Sequence, residues 1–336
     1  MNEKIVIFKN EKTGDLIHSY NAIKKIIRNN VNKEIIIYLS HYNFEMNFLF
    51  DSPNVRIKSI NEKISLIDKF RIVNYFLKKK IKTVYIFKPS FYLFILPVFF
   101  RKIKFYGICV NKNSYLRPPN ILRLFLTNFV INDRGTAKIR PSIHDLHLKL
   151  ISNGATSYNF SSLDNKSNKD NKSYLFLHFN KFKFSLLNWG LNELFIIIDK
   201  LKDNFDYIAL TNDLNDNETN NLLSKKYSDF GKTKVKYYPN IKGKSLFELI
   251  GNAQLVLSFH GMITSIGALQ NTKVLDLFNC TITNKKDFYK YKNAFHEFKP
   301  KINNYEFIIP RKDCLKTLKK INNIIMYGRK INSKAF

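Results

Sequence analysis

Only three cysteines occur in 336 residues, Cys109, Cys280 and Cys314. They lie too far apart for a disulfide framework or a zinc spacing, so neither device holds this chain together. A reduced, cytoplasmic setting fits that usage. Acidic residues are scarce too: 26 Asp and Glu stand against 56 Lys and Arg, for a net charge of +30. Such an excess admits nucleic acid, an anionic membrane surface or an acidic substrate as partner. A compositional source is the alternative, because the chain is rich in Lys, Asn and Ile, the bias that an AT-rich coding sequence would produce.

Other absences narrow the chemistry. There is no Gly-x-Gly-x-x-Gly fingerprint and no Walker loop. No Asp-x-Asp pair occurs, and the acidic stretch from Asp213 to Glu218 has no metal-ligand company, so no metal is expected at a nucleotide site. The longest apolar run, residues 84–100, is broken by Lys88, Pro89 and Pro97. It falls short of the roughly 20 apolar residues a bilayer crossing needs, and reads as a buried strand followed by an apolar helix or interfacial patch. The opening "MNEKIVIF" offers a short strand without the long apolar segment of a signal peptide.

What is present is 45% hydrophobic and 15% aromatic, ample for packed cores. At this length two domains are expected. "KIVIF", "EIIIYLS", "VRIKSI" and "TVYIF" read as strands. Helical spacing separates them, as in "GDLIHSYNAIKKIIRN", where Ile17, Ala22, Ile23, Ile26 and Ile27 share a face. After "KIKFYGI", the stretch "PPNILRLFLTNFVI" reads as a helix. Residues 152–173 are polar and low in complexity, a linker composition. Behind them the alternation restarts and runs to "KVLDLF", with a basic closing helix after Cys314. The expected architecture is two parallel α/β domains, residues 1–151 and 174–336, with a ligand in the cleft they face, at the C-terminal strand ends.

Three places could carry chemistry. Gly14-Asp15-Leu16-Ile17-His18 follows the first strand; Asp15 could be an N-cap or a general base, with His18 one turn on as orienter or phosphate contact. Ser258-Phe259-His260-Gly261 opens a small-residue helix, where Gly261 permits close approach of a pyrophosphate to the helix start. Gly267 and Ala268 would let that helix lie close to the sheet. Lys181 and Lys183 sit in a loop after "YLFLHF", able to neutralise phosphate or merely solvated.

Taken in order, these places resemble the bacterial heptosyltransferases of glycosyltransferase family 9, which have the GT-B fold of two Rossmann-like domains. "KIVIFKNEKTGDLIHSYNAIKKI" is similar to that family's opening strand, Gly-Asp-x-x-His turn and helix. "YLFLHFNKFKFSLLNWGLNELF" is similar to its second-domain entry, where Lys-x-Trp precedes a helix. "KGKSLFELIGNAQLVLSFHGMITSIGALQNTKVLDLF" is similar to its closing block, with an Asp-Thr-Gly-x-x-His donor turn. The resemblance runs from residue 4 to about 280. It implies Asp15 as catalytic base, with His18, Lys181, Lys183, Glu218, His260, Gly261 and Thr264 as donor contacts. Glu218 falls where the family binds ribose. Several positions depart: the donor-turn Asp, Thr and His are Phe259, His260 and Thr264, and the Lys of Lys-x-Trp is Leu187.

The implied activity is inverting, metal-independent transfer of a heptose or similar hexose from a nucleotide sugar. The acceptor would be lipopolysaccharide core or another lipid-linked surface glycan, reached by peripheral contact with an anionic membrane at the cytoplasmic face. Nucleic acid is not an expected partner. The alternative is a basic α/β protein that binds nucleotide sugar or nucleic acid without turnover.

Overall fold

The computed structural model describes residues 3–111, 120–133, 142–152, 173–214, 216–278, 297–300 and 304–333. They form two compact units. The expected linker lies, but for its two end residues, outside the described residues, as does Cys280.

In the first unit the strands are β1 (Lys4–Lys9), β2 (Glu34–Ser40), β3 (Val55–Ile60), β4 (Ile81–Ile86), β5 (Lys104–Asn111) and β6 (Asn128–Asp133). All pair in parallel, in the order β3-β2-β1-β4-β5-β6. The central β1 and β2 are buried along nearly their whole length, which is why they read as unbroken apolar runs. Edge strand β3 alternates instead, exposing Arg56 and Lys58. The helices are α1 (Thr13–Arg28), α2 (Leu66–Lys78), α3 (Phe91–Phe99) and α4 (Ile143–Ile151). One core layer joins Val6, Phe8 and Ile36 to Ile72 and Phe76 of α2, Leu93 and Phe94 of α3, and Leu122. On α1, Ile17, Ala22, Ile23, Ile26 and Ile27 are all buried, as their spacing predicts.

The expected helix in "PPNILRLFLTNFVI" is corrected. A 3-10 turn, Asn120–Phe125, leads straight into β6. Short apolar runs suit either conformation, and Thr127 decides this one. Its backbone N–H donates to the Phe105 carbonyl at 2.8 Å, while its hydroxyl accepts from the Phe105 N–H at 3.0 Å.

The second unit repeats the plan. Its strands are β7 (Tyr174–Phe179), β8 (Tyr207–Asn212), β9 (Val235–Tyr237), β10 (Leu255–Phe259), β11 (Val274–Leu277) and β12 (Tyr305–Ile308). They are again all parallel, in the order β12-β11-β10-β7-β8-β9. The helices are α5 (Lys181–Ser185), α6 (Leu191–Leu201), α7 (Asn217–Lys226), α8 (Phe230–Thr233), α9 (Gly243–Gly251), α10 (Met262–Leu269) and α11 (Cys314–Ser333). Residues 181–185 thus form a short helix where a loop was expected. Residues 297–299 cluster with the first unit, so the chain returns there before β12.

The two expected Rossmann-like α/β domains are therefore found. No helix among the described residues is long and apolar enough to cross a membrane; residues 84–100 divide between β4 and the nine-residue α3.

Close packing of α10 rests on Gly267, as read from the sequence. A Cβ there would meet Val274 Cγ2 at 2.9 Å and Val256 Cγ2 at 3.3 Å, and stiff branched side chains cannot swing aside. Gly267→Val should therefore destabilise the protein by about 1–3 kcal/mol through overpacking, seen as a fall in melting temperature of several degrees.

Candidate active site

In both sheets the first strand lies between the second and the fourth, so the loops leaving the first and fourth strands diverge. Ligands of open α/β sheets bind at such reversals, beyond the carboxyl ends of the strands. Asp15 follows the reversal strand β1 of the first unit, and Lys183, His260 and Gly261 follow β7 and β10 of the second; Glu218 instead opens α7, after β8.

In the first unit, the loop between β1 and α1 is clamped on several sides. Asn43 Nδ2 donates to the Lys9 carbonyl at 3.0 Å, and Thr13 Oγ1 to the Tyr42 carbonyl at 2.8 Å. Asn10 Nδ2 donates to the carbonyls of Asn61 (3.1 Å) and Glu62 (3.0 Å). Lys88, just past β4, pairs with Glu62 at 3.1 Å. This clamping sets where α1 begins. Its N-cap is Lys12, without a side-chain cap bond. Asp15 is therefore not the cap; it lies half-buried in the first turn, where the helix dipole favours a carboxylate. Gly14 is likewise part of the helix and makes no sharp turn of its own.

His18 has structural neighbours on several sides. It is buried, its Nδ1 within 3.0 Å of His144 Nε2, and its ring packs on Phe298. His147 Nδ1 bonds the His18 carbonyl at 3.1 Å. Together these histidines fasten α4 to α1. Burial pushes the His147 imidazole well below its ordinary pKa, and the nearby Lys9 ammonium adds to the effect. Lys9 is itself buried and ion-paired with Glu11. Sequence reasoning missed Lys9, although a lysine closing an otherwise apolar buried strand was its signal.

In the second unit, Lys183 is brought to the turn between β10 and α10. Asn180 caps α5, its side chain accepting from the Lys183 N–H at 2.8 Å. The Lys183 ammonium then donates to the His260 carbonyl across the β7/β10 reversal. Burial lowers its pKa, and the charges of Asp276 and Asp213 partly restore it. A Cβ on Gly261 would stand 3.0 Å from this ammonium, so glycine leaves the cation room at the turn.

His260 has a fixed seat. Its Nδ1 is 2.5 Å from Asp276 Oδ2, an oxygen that also accepts from the Tyr305 hydroxyl. Asp276 is wholly buried in β11, and burial beside it drives the Tyr305 phenol far above its usual pKa. With Tyr305 and His260 both directed at one carboxylate, the orientation of the His260 ring is set. Asp276 escaped notice in the sequence, where an acid inside "VLDLF" was the clue.

Helix α10 begins beside these groups. Its first intrahelical bond runs from Ser265 N–H to the Gly261 carbonyl at 3.1 Å, so the amides of the preceding turn have no partner within the helix ladder. Thr264 is fully buried, and its hydroxyl accepts from the Gly261 N–H at 3.0 Å. Lys181 points elsewhere, pairing with Glu218 at 3.2 Å on the exposed start of α7. Leu187 and Phe259, two of the departures from the family pattern, both lie in the buried aromatic cluster of Phe179, Phe184 and Trp189. No group of three His, Cys, Asp or Glu among the described residues could hold a metal ion.

No protein-family model matches the sequence, and no curated protein does. Solved structures match in fold. The ADP-heptose LPS heptosyltransferase II of E. coli has a TM-score of 0.68, covering 97% of this chain and 99% of its own at 11% identity. E. coli heptosyltransferase WaaC, solved with ADP, also gives 0.68, covering 96% and 99% at 12% identity. A glycosyl transferase family 9 protein from Veillonella parvula DSM 2008 gives 0.63, covering 91% and 85% at 11% identity. The resemblance carried by the motifs thus extends to a shared GT-B fold.

The lowered His147 pKa has a consequence in solution. The unfolded chain takes up a proton at this side chain near pH 6.5, whereas the folded one resists it to lower pH. The stability this residue confers is complete above about pH 6.5 and is lost as pH falls below it, by up to about 1.4 kcal/mol per pH unit. Urea melts at pH 8 and 5.5 should show that decline, and His147→Gln should make it shallower.

Proposed function

We propose that this chain is a glycosyltransferase. It moves a sugar, a heptose or similar hexose, from a nucleoside diphosphate to a hydroxyl of a lipopolysaccharide-core or related surface glycan, with inversion. The observation that carries this reading is the cationic corner at the β7/β10 reversal, where the Lys183 ammonium, the seated His260 ring and the first turn of α10 meet. Backbone amides at a helix start and a desolvated ammonium suit a diphosphate. The fold shared with transferases, one of them solved with ADP, agrees with a nucleotide-linked donor.

Asp15 acts as the base. As the acceptor oxygen bonds to the anomeric carbon, its proton passes to the Asp15 carboxylate. The bond from that carbon to the diphosphate breaks, and its electron pair leaves with the nucleoside diphosphate. Positioned base catalysis contributes about 10²–10⁴-fold. Lys183, His260 and the α10 amides meet the charge that gathers on the leaving diphosphate, without calling on a metal. Asp276 holds His260 for this task. Glu218, with Lys181 beside it, takes the donor's ribose. The clamped β1–α1 loop keeps Asp15 from drifting, which matters because small misplacements cost rate steeply.

Thermal stabilisation against ADP, UDP, GDP and their sugars tests the donor site first. A ligand at 100 times its Kd adds about 2.7 kcal/mol. Lys183→Ala should weaken binding of the stabilising nucleotide about tenfold or more. Asp15→Asn should cut turnover about 100-fold or more yet leave nucleotide stabilisation intact. Stabilisation without turnover in the parent would favour a nucleotide-sugar binder; no stabilisation by any nucleotide would overturn the transferase and leave the nucleic-acid form of the rival reading.

A further inference from the structure

Helix α2 carries two apolar faces where a surface helix ordinarily carries one. Ile72 and Phe76 enter the core. Leu66, Ile67, Phe70 and Leu77 do not; each is 63–75% exposed. At the pitch of an α-helix these four fall within an arc of about 100°, directed away from the sheet. The neighbours continue the pattern. On α3, Leu93 and Phe94 are buried while Phe91 and Phe99 are exposed. In the 3-10 turn Asn120–Phe125, Leu122 is buried while Ile121 and Leu124 are exposed.

These three elements lie side by side on one face of the first sheet. Their inward residues share one core layer, and Tyr92 of α3 donates its hydroxyl to the Lys69 carbonyl of α2 at 2.7 Å. Their outward residues therefore form one apolar face. Its surroundings are cationic: residues 63–105 hold eleven Lys and Arg against a single carboxylate, Asp68. That carboxylate is itself buried, accepting from the Ser65 hydroxyl at 2.8 Å. Lys78, Lys79 and Lys80 stand at the end of α2 and Arg101 and Lys102 just past α3, all exposed.

The geometry points to this face as a docking surface for an anionic phospholipid bilayer. Exposed Phe, Leu and Ile enter the boundary between headgroups and acyl chains, and the surrounding ammonium and guanidinium groups meet lipid phosphates. A large exposed apolar face is a liability without a partner. The one-signed charge around it selects lipid over a second copy, whose matching face would bring like charges together. The inference gives the membrane contact expected from the family resemblance a specific face of the first unit, and the vesicle experiment tests it whether or not sugar is transferred.

Co-sedimentation of the full chain with phosphatidylcholine vesicles, with or without about one-third phosphatidylglycerol, tests it. Binding should require the anionic lipid and weaken roughly tenfold as sodium chloride is raised from low to physiological strength. The triple variant Phe70→Ser, Phe99→Ser, Leu124→Ser should lose at least about tenfold in vesicle binding. A control triple in the second unit, Leu222→Ser, Phe230→Ser, Leu315→Ser, should bind as the parent does. Melting temperatures establish folding; should the first triple melt early, Lys78→Gln, Lys79→Gln, Lys80→Gln replaces it, with the same expectation. A parent that ignores anionic vesicles, a surface variant that binds undiminished, or a control that fails equally would overturn the inference. A parent that dimerises through this face without binding vesicles would assign it to a second copy instead.

Discussion

A parallel strand can be joined to its neighbour only by a crossover, and those crossovers keep one hand. A sheet wound outward from its first strand must therefore reverse once, and at that point two loops part. Both units obey this constraint with the same strand order. In the first it sets the clamped Asn10–Lys12 loop beside Lys88, and hence the start of α1 and the position of Asp15. In the second it lets Lys183 reach the carbonyl of His260. The proposed chemistry thus sits where the winding leaves no strand to fill the space.

Two departures from the family pattern share one setting. Leu187 and Phe259 stand where the family pattern has a lysine and an aspartate, and both belong to one buried aromatic cluster around Trp189. An ion split between such surroundings and water would be costly, so changing both positions to apolar groups is self-consistent. Positive charge is not lost from the region. Lys183 lies four residues before Leu187, about one helical turn, and delivers an ammonium to the same strand end. His260, backed by Asp276 and Tyr305, adds an oriented ring that a threonine could not supply.

Much of this was legible in the sequence, for reasons that differ by element. The strands "KIVIF" and "EIIIYLS" announced themselves because burial on both faces requires continuous apolar runs. Gly267 was readable because close helix–sheet contact demands a missing side chain. The stretch before β6 misled, since its fate hung on two hydrogen bonds from Thr127 to a strand more than twenty residues earlier. The fastening of α4 by His18 was not readable, since its partners His144 and His147 lie 126 and 129 residues away. Asp276 and Tyr305 matter only through a third residue, and no local pattern records a relation of that kind.

The first unit is not a continuous stretch of sequence. Glu297 is fully buried there, accepting from Asn132 Nδ2 at 2.9 Å, and Phe298 lies against the ring of His18. These two residues arrive only after the chain has already built five strands of the other unit. During synthesis the six strands of the first sheet are all made before these two residues, so the Asn132 amide lacks the Glu297 carboxylate and His18 lacks the Phe298 ring until residues 297 and 298 have emerged. The two halves consequently cannot be traded between proteins by a single cut, as modular domains are. An exchange that keeps each core whole has to carry the returning segment with it, and the coding order of this chain ties the completion of its first half to the near-completion of its second.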